Sequence, residues 1–166
     1  ELKLTSPDGT HEIAFYQKQV SPAVNELCYR VDYKSQPVVN ESHAGLELDN
    51  RIWEMALGAR NLKQPACWMD NLEVDSVTYQ PETDITWQPL YGERSSVRDH
   101  YRTGTLYLSK KDNSGYRLNI EVRAYNEGVA FRYFFPEHPK AIFHKVVGDL
   151  TEYALPAGTK AWTEQW

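Results

Sequence analysis

The sequence predicts an all-β protein, an antiparallel β-sandwich, on three observations. Short apolar runs alternate with polar residues at period two, turn residues separate them at close intervals, and helical periodicity is nearly absent. Many short strands joined by tight turns bury their apolar faces best as two sheets packed together.

From the N-terminus, Leu2 to Leu4 and Ile13 to Phe15 are strands split by the turn Asp8-Gly9. Leu27, Tyr29, Val31 and Tyr33 then alternate with Cys28, Arg30 and Asp32. Shorter strands are expected at Val38 to Val39, Gly45 to Leu48, Leu72 to Tyr79 and Ile142 to Val147. Only Arg51 to Arg60 could pass for a helix, and Ile52, Trp53 and Gly58 weaken it. Asn113-Ser114-Gly115 follows a strand from Thr105 to Ser109. The clearest strand is Tyr116 to Tyr125, where Tyr116, Leu118, Ile120, Val122 and Ala124 share one face. It runs through Asn126-Glu127-Gly128 into Val129 to Phe135, stopped by Pro136, which is hairpin grammar with a positive φ expected at Gly128.

With 166 residues, 41% hydrophobic and a formal charge of -5, the chain is long enough for one core and matches an ordered domain. Residues 1–166 are therefore read as one domain. Eighteen Lys and Arg scattered among twenty-three acids leave no basic stripe, so nucleic acid is not an expected partner. No apolar run approaches the roughly 20 residues of a membrane span, and Glu1 to Gly9 lack the basic and apolar parts of a signal peptide. Cys28 and Cys67 fit no metal spacing and read as small buried hydrophobes.

The segment from Trp87 to Tyr101 is too polar for a core strand and too aromatic for an idle loop. It holds Trp87, Tyr91, Gly92, Glu93, Arg98, His100 and Tyr101. One reading is a pocket wall or domain interface in which Glu93 and Arg98 fix hydroxyl groups and rings stack on a sugar. The other is a surface loop held by ion pairs from Glu93 to the arginines, with Trp87 plugging the core. The five histidines show no close metal pattern, and neither a His-Glu-x-x-His helix nor a Gly-x-Ser-x-Gly elbow occurs, so no catalytic residue and no metal ligand is assigned. Asn40-Glu41-Ser42 satisfies the glycosylation sequon.

Several segments come in a family's order: Ser6-Pro7-Asp8-Gly9, Gly45-Leu46-Glu47-Leu48, Thr86-Trp87-Gln88-Pro89-Leu90-Tyr91-Gly92-Glu93, Val97-Arg98-Asp99-His100-Tyr101, and Arg123 through Tyr133. Together they resemble the N-terminal domain of glycoside hydrolase family 97, which includes the α-glucosidase of the Bacteroides starch-utilisation system. The resemblance implies a β-super-sandwich similar to galactose mutarotase folds, cut short on its C-terminal side. A catalytic (β/α)8 barrel, absent from these residues, would follow and supply the catalytic glutamates. It further implies calcium-dependent, exo-acting cleavage of oligosaccharides by an α-glucosidase or α-galactosidase, in the periplasm or outside the cell. No calcium is expected in this fragment: Glu164 lies too close to Trp162 to match the family's ligand. Arg60 to Asn71 follows no family pattern and reads as a local insertion. Two rival readings need no barrel: a stand-alone carbohydrate-binding module using exposed Trp and Tyr, or a protein-interaction sandwich.

Overall fold

The computed structural model describes residues 1–49, 51, 54–55, 68–111, 114–138, 143–162 and 164. Among these, the strands are β1 Leu2–Thr5, β2 His11–Ser21, β3 Val24–Tyr33, β4 Gln36–His43, β5 Leu46–Leu48, β6 Glu73–Trp87, β7 Val97–Ser109, β8 Arg117–Tyr125, β9 Gly128–Phe134 and β10 Val146–Asp149. They form a sheet in the order β1-β2-β3-β4, a second in the order β6-β7-β8-β9, and a small one pairing β10 with β5, all antiparallel. The expected sandwich of antiparallel sheets is what the chain builds.

Alternation decides which face of each strand goes inward. Leu118, Ile120, Val122 and Ala124 of β8 are wholly buried, while Arg117 and Arg123 on the opposite face are exposed. Ile13 and Phe15 of β2 and Leu27, Tyr29 and Val31 of β3 supply the facing layer. The two layers meet in an aromatic cluster: the Phe131 ring of β9 lies 5.1 Å from Phe15 and 5.2 Å from Tyr29. Burying a side chain of that size stabilises by about 1.5 to 3 kcal/mol, so a few such rings are enough to fix how the sheets stack. One glycine permits a close approach: a Cβ on Gly104 of β7 would come 3.2 Å from Leu2 Cδ1 of β1. Another makes a turn, since Gly9 between β1 and β2 has φ 72°.

After β10 the chain runs as a strap along β4. Tyr29 donates its hydroxyl to the Glu152 carbonyl at 2.6 Å, Ala154 N donates to Ser42 Oγ at 2.9 Å, and Asn40 N donates to the Ala154 carbonyl at 2.7 Å.

Three strands reach further than their patterns suggest. β2 continues to Ser21, β6 to Trp87, and β7 begins at Val97. Residues 17–21 of β2 and most of 80–87 of β6 are exposed, so no apolar alternation marks these extensions, which are carried by backbone pairing and cross-strand polar pairs. Cys28 is buried, as expected. Cys67, Asn113, Ile142 and most of Arg51 to Arg60 and of Arg60 to Asn71 lie outside the described residues.

Candidate functional site

The stretch from Trp87 to Tyr101 is not one irregular segment. It is the end of β6, an exposed loop, and the start of β7, which together form a two-stranded arm. The register sets Trp87 opposite Val97, Ile85 opposite Asp99 and Thr83 opposite Tyr101, and between these it pairs Thr86 with Arg98 and Asp84 with His100. Alternation along the strands therefore gives the arm two different faces.

The charged face is internally clasped. Arg98 donates Nε to Asp84 Oδ1 at 2.7 Å and Nη2 to Asp84 Oδ2 at 2.6 Å, a bidentate bond to its diagonal cross-strand neighbour. His100 Nε2 lies 2.7 Å from Glu82 Oε1, and Arg102 Nε donates to Glu82 Oε2 at 2.9 Å. These bonds hold both carboxyls below the usual carboxylate range: the Arg98 guanidinium acts on Asp84, and His100 first and Arg102 second act on Glu82. Arg98 is thus paired with Asp84 and not with Glu93, which has no ion pair among the described residues. The sequence expectation of a Glu93-centred network is corrected by sheet register, which brings residues 82 and 84 level with 98 to 102.

The other face mixes Ile85 and Trp87 with Thr83 and Asp99, and the tip beyond it is apolar and open. Trp87 is 50% exposed, so it does not plug the core as expected. Ile85 is exposed on the same strand face, and Leu90 and Tyr91 project almost fully into solvent at the loop. Gly92 has φ 122°, a conformation that admits few other residues and shapes that tip. Tyr101 sits apart from Trp87, its ring tilted 50° to that of Tyr125 at 5.1 Å, with the Arg123 guanidinium 4.3 Å over it. Of the seven predicted residues, Trp87, Tyr91 and Gly92 share the open end of the arm. Arg98 and His100 line its charged face, Tyr101 joins a ring cluster nearer the sheet, and Glu93 stays in the exposed loop.

Sequence reading missed Asp84, Glu82 and Arg102, which complete the clasp. It also missed Glu26, His43 and Asp70, whose ligand-type atoms all lie within 4.8 Å of one another. They come from separate elements, and no spacing in the chain signals their meeting. This group does not fit calcium: it offers two carboxylates and an imidazole where calcium takes six to eight oxygens. Trp162 and Glu164 are both exposed, and among the described residues Glu164 joins no such group.

The arm thus joins a face of paired charges to an open aromatic tip. The class is an all-β domain of antiparallel sheets. The chain matches the family described as Glycosyl-hydrolase 97 N-terminal over residues 4–166, and it belongs to that family. A retaining alpha-galactosidase of Bacteroides thetaiotaomicron is 26% identical over 161 residues, spanning 97% of this chain and 20% of that protein. The structure of a glycoside hydrolase family 97 enzyme in complex with acarbose, from Pseudoalteromonas sp. strain K8, superposes with a TM-score of 0.74 at 26% identity, over 94% of this chain and 20% of that one. A beta-arabinopyranosidase shares the fold, with a TM-score of 0.73 at 18% identity over 94% of this chain and 21% of that one. The chain thus spans about a fifth of these relatives' length. Among the described residues no helix is long and apolar enough to cross a membrane.

Proposed function

We propose that this chain is the non-catalytic N-terminal domain of a calcium-dependent, exo-acting α-glycosidase, an α-glucosidase or α-galactosidase, and that it helps form the substrate pocket by docking on a catalytic (β/α)8 barrel. The observation that carries this reading is the arm. Its exposed Ile85, Trp87, Leu90 and Tyr91 form an apolar end beside a rigid charged face, which suits an inter-domain contact. Family membership and the relatives' activities support the substrate class, and calcium would be held by ligands outside the described residues. Action in the periplasm or outside the cell is part of the same proposal.

The test is activity of the intact protein on aryl α-glucosides and α-galactosides. Trp87→Ala and Tyr91→Ala should lower kcat/KM while leaving the melting temperature nearly unchanged, and the 166-residue chain alone should turn over neither substrate. Unchanged kcat/KM in both variants would remove the arm from the pocket. The exposed rings also suit a free-standing sugar-binding module. Titrating the 166-residue chain with maltose and galactose separates the two, because a half-pocket should bind neither.

A further inference from the structure

The three residues Glu26, His43 and Asp70 converge from the start of β3, the end of β4 and the turn before β6. The fold holds them there firmly. The β3–β4 register sets Cys28 opposite His43, which brings the His43 side chain onto the strand face that also carries Glu26. Asn71 N donates to the Asn25 carbonyl and Asn25 N donates to Asn71 Oδ1, both at 2.8 Å, so the turn carrying Asp70 is buttoned to β3 beside Glu26. Buried Trp68 and Met69 anchor the same turn in the core.

All three side chains are half-buried, yet none takes a hydrogen bond or salt bridge from another described residue. His43 Nε2 has no exposed surface and no hydrogen-bond partner. An enclosed, unpartnered imidazole nitrogen is costly. A divalent ion would satisfy it, and the two carboxylates beside it would complete the ion's ligand set.

We infer that Glu26, His43 and Asp70 form a binding site for a divalent transition ion of the zinc class. One imidazole nitrogen with two carboxylate oxygens is a set such ions accept, leaving a position for water, whereas calcium and magnesium prefer oxygen alone. Zinc bonds of about 2.0 to 2.2 Å require the ligand atoms to draw together somewhat from their present separation, within reach of rotamer adjustments. The ion would tie the first sheet to the turn that leads into the second. It would therefore act as a structural clip.

The experiment uses the intact protein stripped with EDTA and titrated with zinc chloride by calorimetry, beside His43→Ala, Asp70→Asn and Glu26→Gln. The unaltered protein should bind one more zinc ion per chain than His43→Ala, and the two carboxylate variants should bind that ion more weakly by on the order of 100-fold. Zinc at a hundredfold over the unaltered protein's Kd should raise its melting temperature by about 5 to 10 °C, that of the carboxylate variants by no more than about 2 °C, and that of His43→Ala least. Cobalt loaded in place of zinc should give a visible absorption band that Asp70→Asn alters. Equal zinc stoichiometry and affinity in all four proteins would overturn the inference, as would calcium binding at these residues in preference to zinc. Should His43→Ala fail to fold, the near-isosteric carboxylate variants decide the question by the same readouts.

Discussion

Asp8 and Asn126, 118 positions apart, meet where two hairpin turns touch: the Asp8 backbone N–H donates to Asn126 Oδ1 at 3.1 Å. The first turn joins β1 to β2 in one sheet, and the second joins β8 to β9 in the other. Asp8 is also the hub of its own turn, accepting from Ser6 Oγ at 2.6 Å, Thr10 Oγ1 at 2.8 Å and Thr10 N at 3.0 Å, all on Oδ1. The two sheets are therefore latched at one end by turn residues as well as by the core.

That hub should be visible in a titration. The Ser6 hydroxyl above all, then the Thr10 amide, hold the Asp8 carboxyl down at about 2 against an ordinary 3.8. A depressed carboxylate contributes stability that is complete above its unfolded value and lost as pH falls through its folded value, here from about pH 4 down to about 2. Carboxyl NMR should place the Asp8 midpoint near 2, and Ser6→Ala should move it upward. A midpoint at the ordinary value would show that the turn does not persist in solution.

The β8 core should be sensitive to truncation. Leu118 and Ile120 have no exposed surface, so Leu118→Ala and Ile120→Ala should each destabilise by about 2 to 5 kcal/mol in denaturant unfolding. Losses well below that range would put β8 at a yielding edge.

Gly104→Ala sets two effects against each other. Removing a glycine lowers unfolded-state entropy and stabilises by about 0.4 to 1 kcal/mol. The new methyl would press on Leu2 Cδ1 at 3.2 Å and Tyr79 Cδ1 at 3.4 Å, and overpacking of this kind costs about 1 to 3 kcal/mol. Net destabilisation is expected. Gly104→Ala with Leu2→Val should recover part of it, since the shorter side chain makes room.

On the arm, Arg98→Ala breaks a solvent-exposed pair and should hardly change the melting temperature. In the intact protein it should lower kcat/KM, and Arg98→Lys should not restore it, because an ammonium cannot reproduce the bidentate fork on Asp84. Asp84→Ala should behave as Arg98→Ala does, whereas Glu93→Ala, with no ion pair among the described residues, should have the smaller effect. A badly destabilised protein in the first two variants would make the clasp a structural element of the sandwich.

Strand existence was legible where one face is apolar, and illegible where neither is. β8 could be read residue by residue because Leu118, Ile120, Val122 and Ala124 alternate with polar neighbours. The outer half of β6 could not, because Gln80 to Trp87 is solvated on both sides and is held by pairing to β7. For the same reason Trp87, read as a possible core plug, lies half in solvent at the end of a strand.

The fold class, the hairpin from Tyr116 to Phe135, the buried state of Cys28 and, through its ordered segments, the resemblance to family 97 were all legible along the chain. These follow from local patterns, periodicity and turn chemistry, which neighbouring residues carry among themselves. That Arg98 clasps Asp84 and not Glu93, that Asp8 reaches Asn126, and that Glu26, His43 and Asp70 come together emerged with folding. The first depends on register, a property of two strands at once, and the others on how separate elements lie against one another.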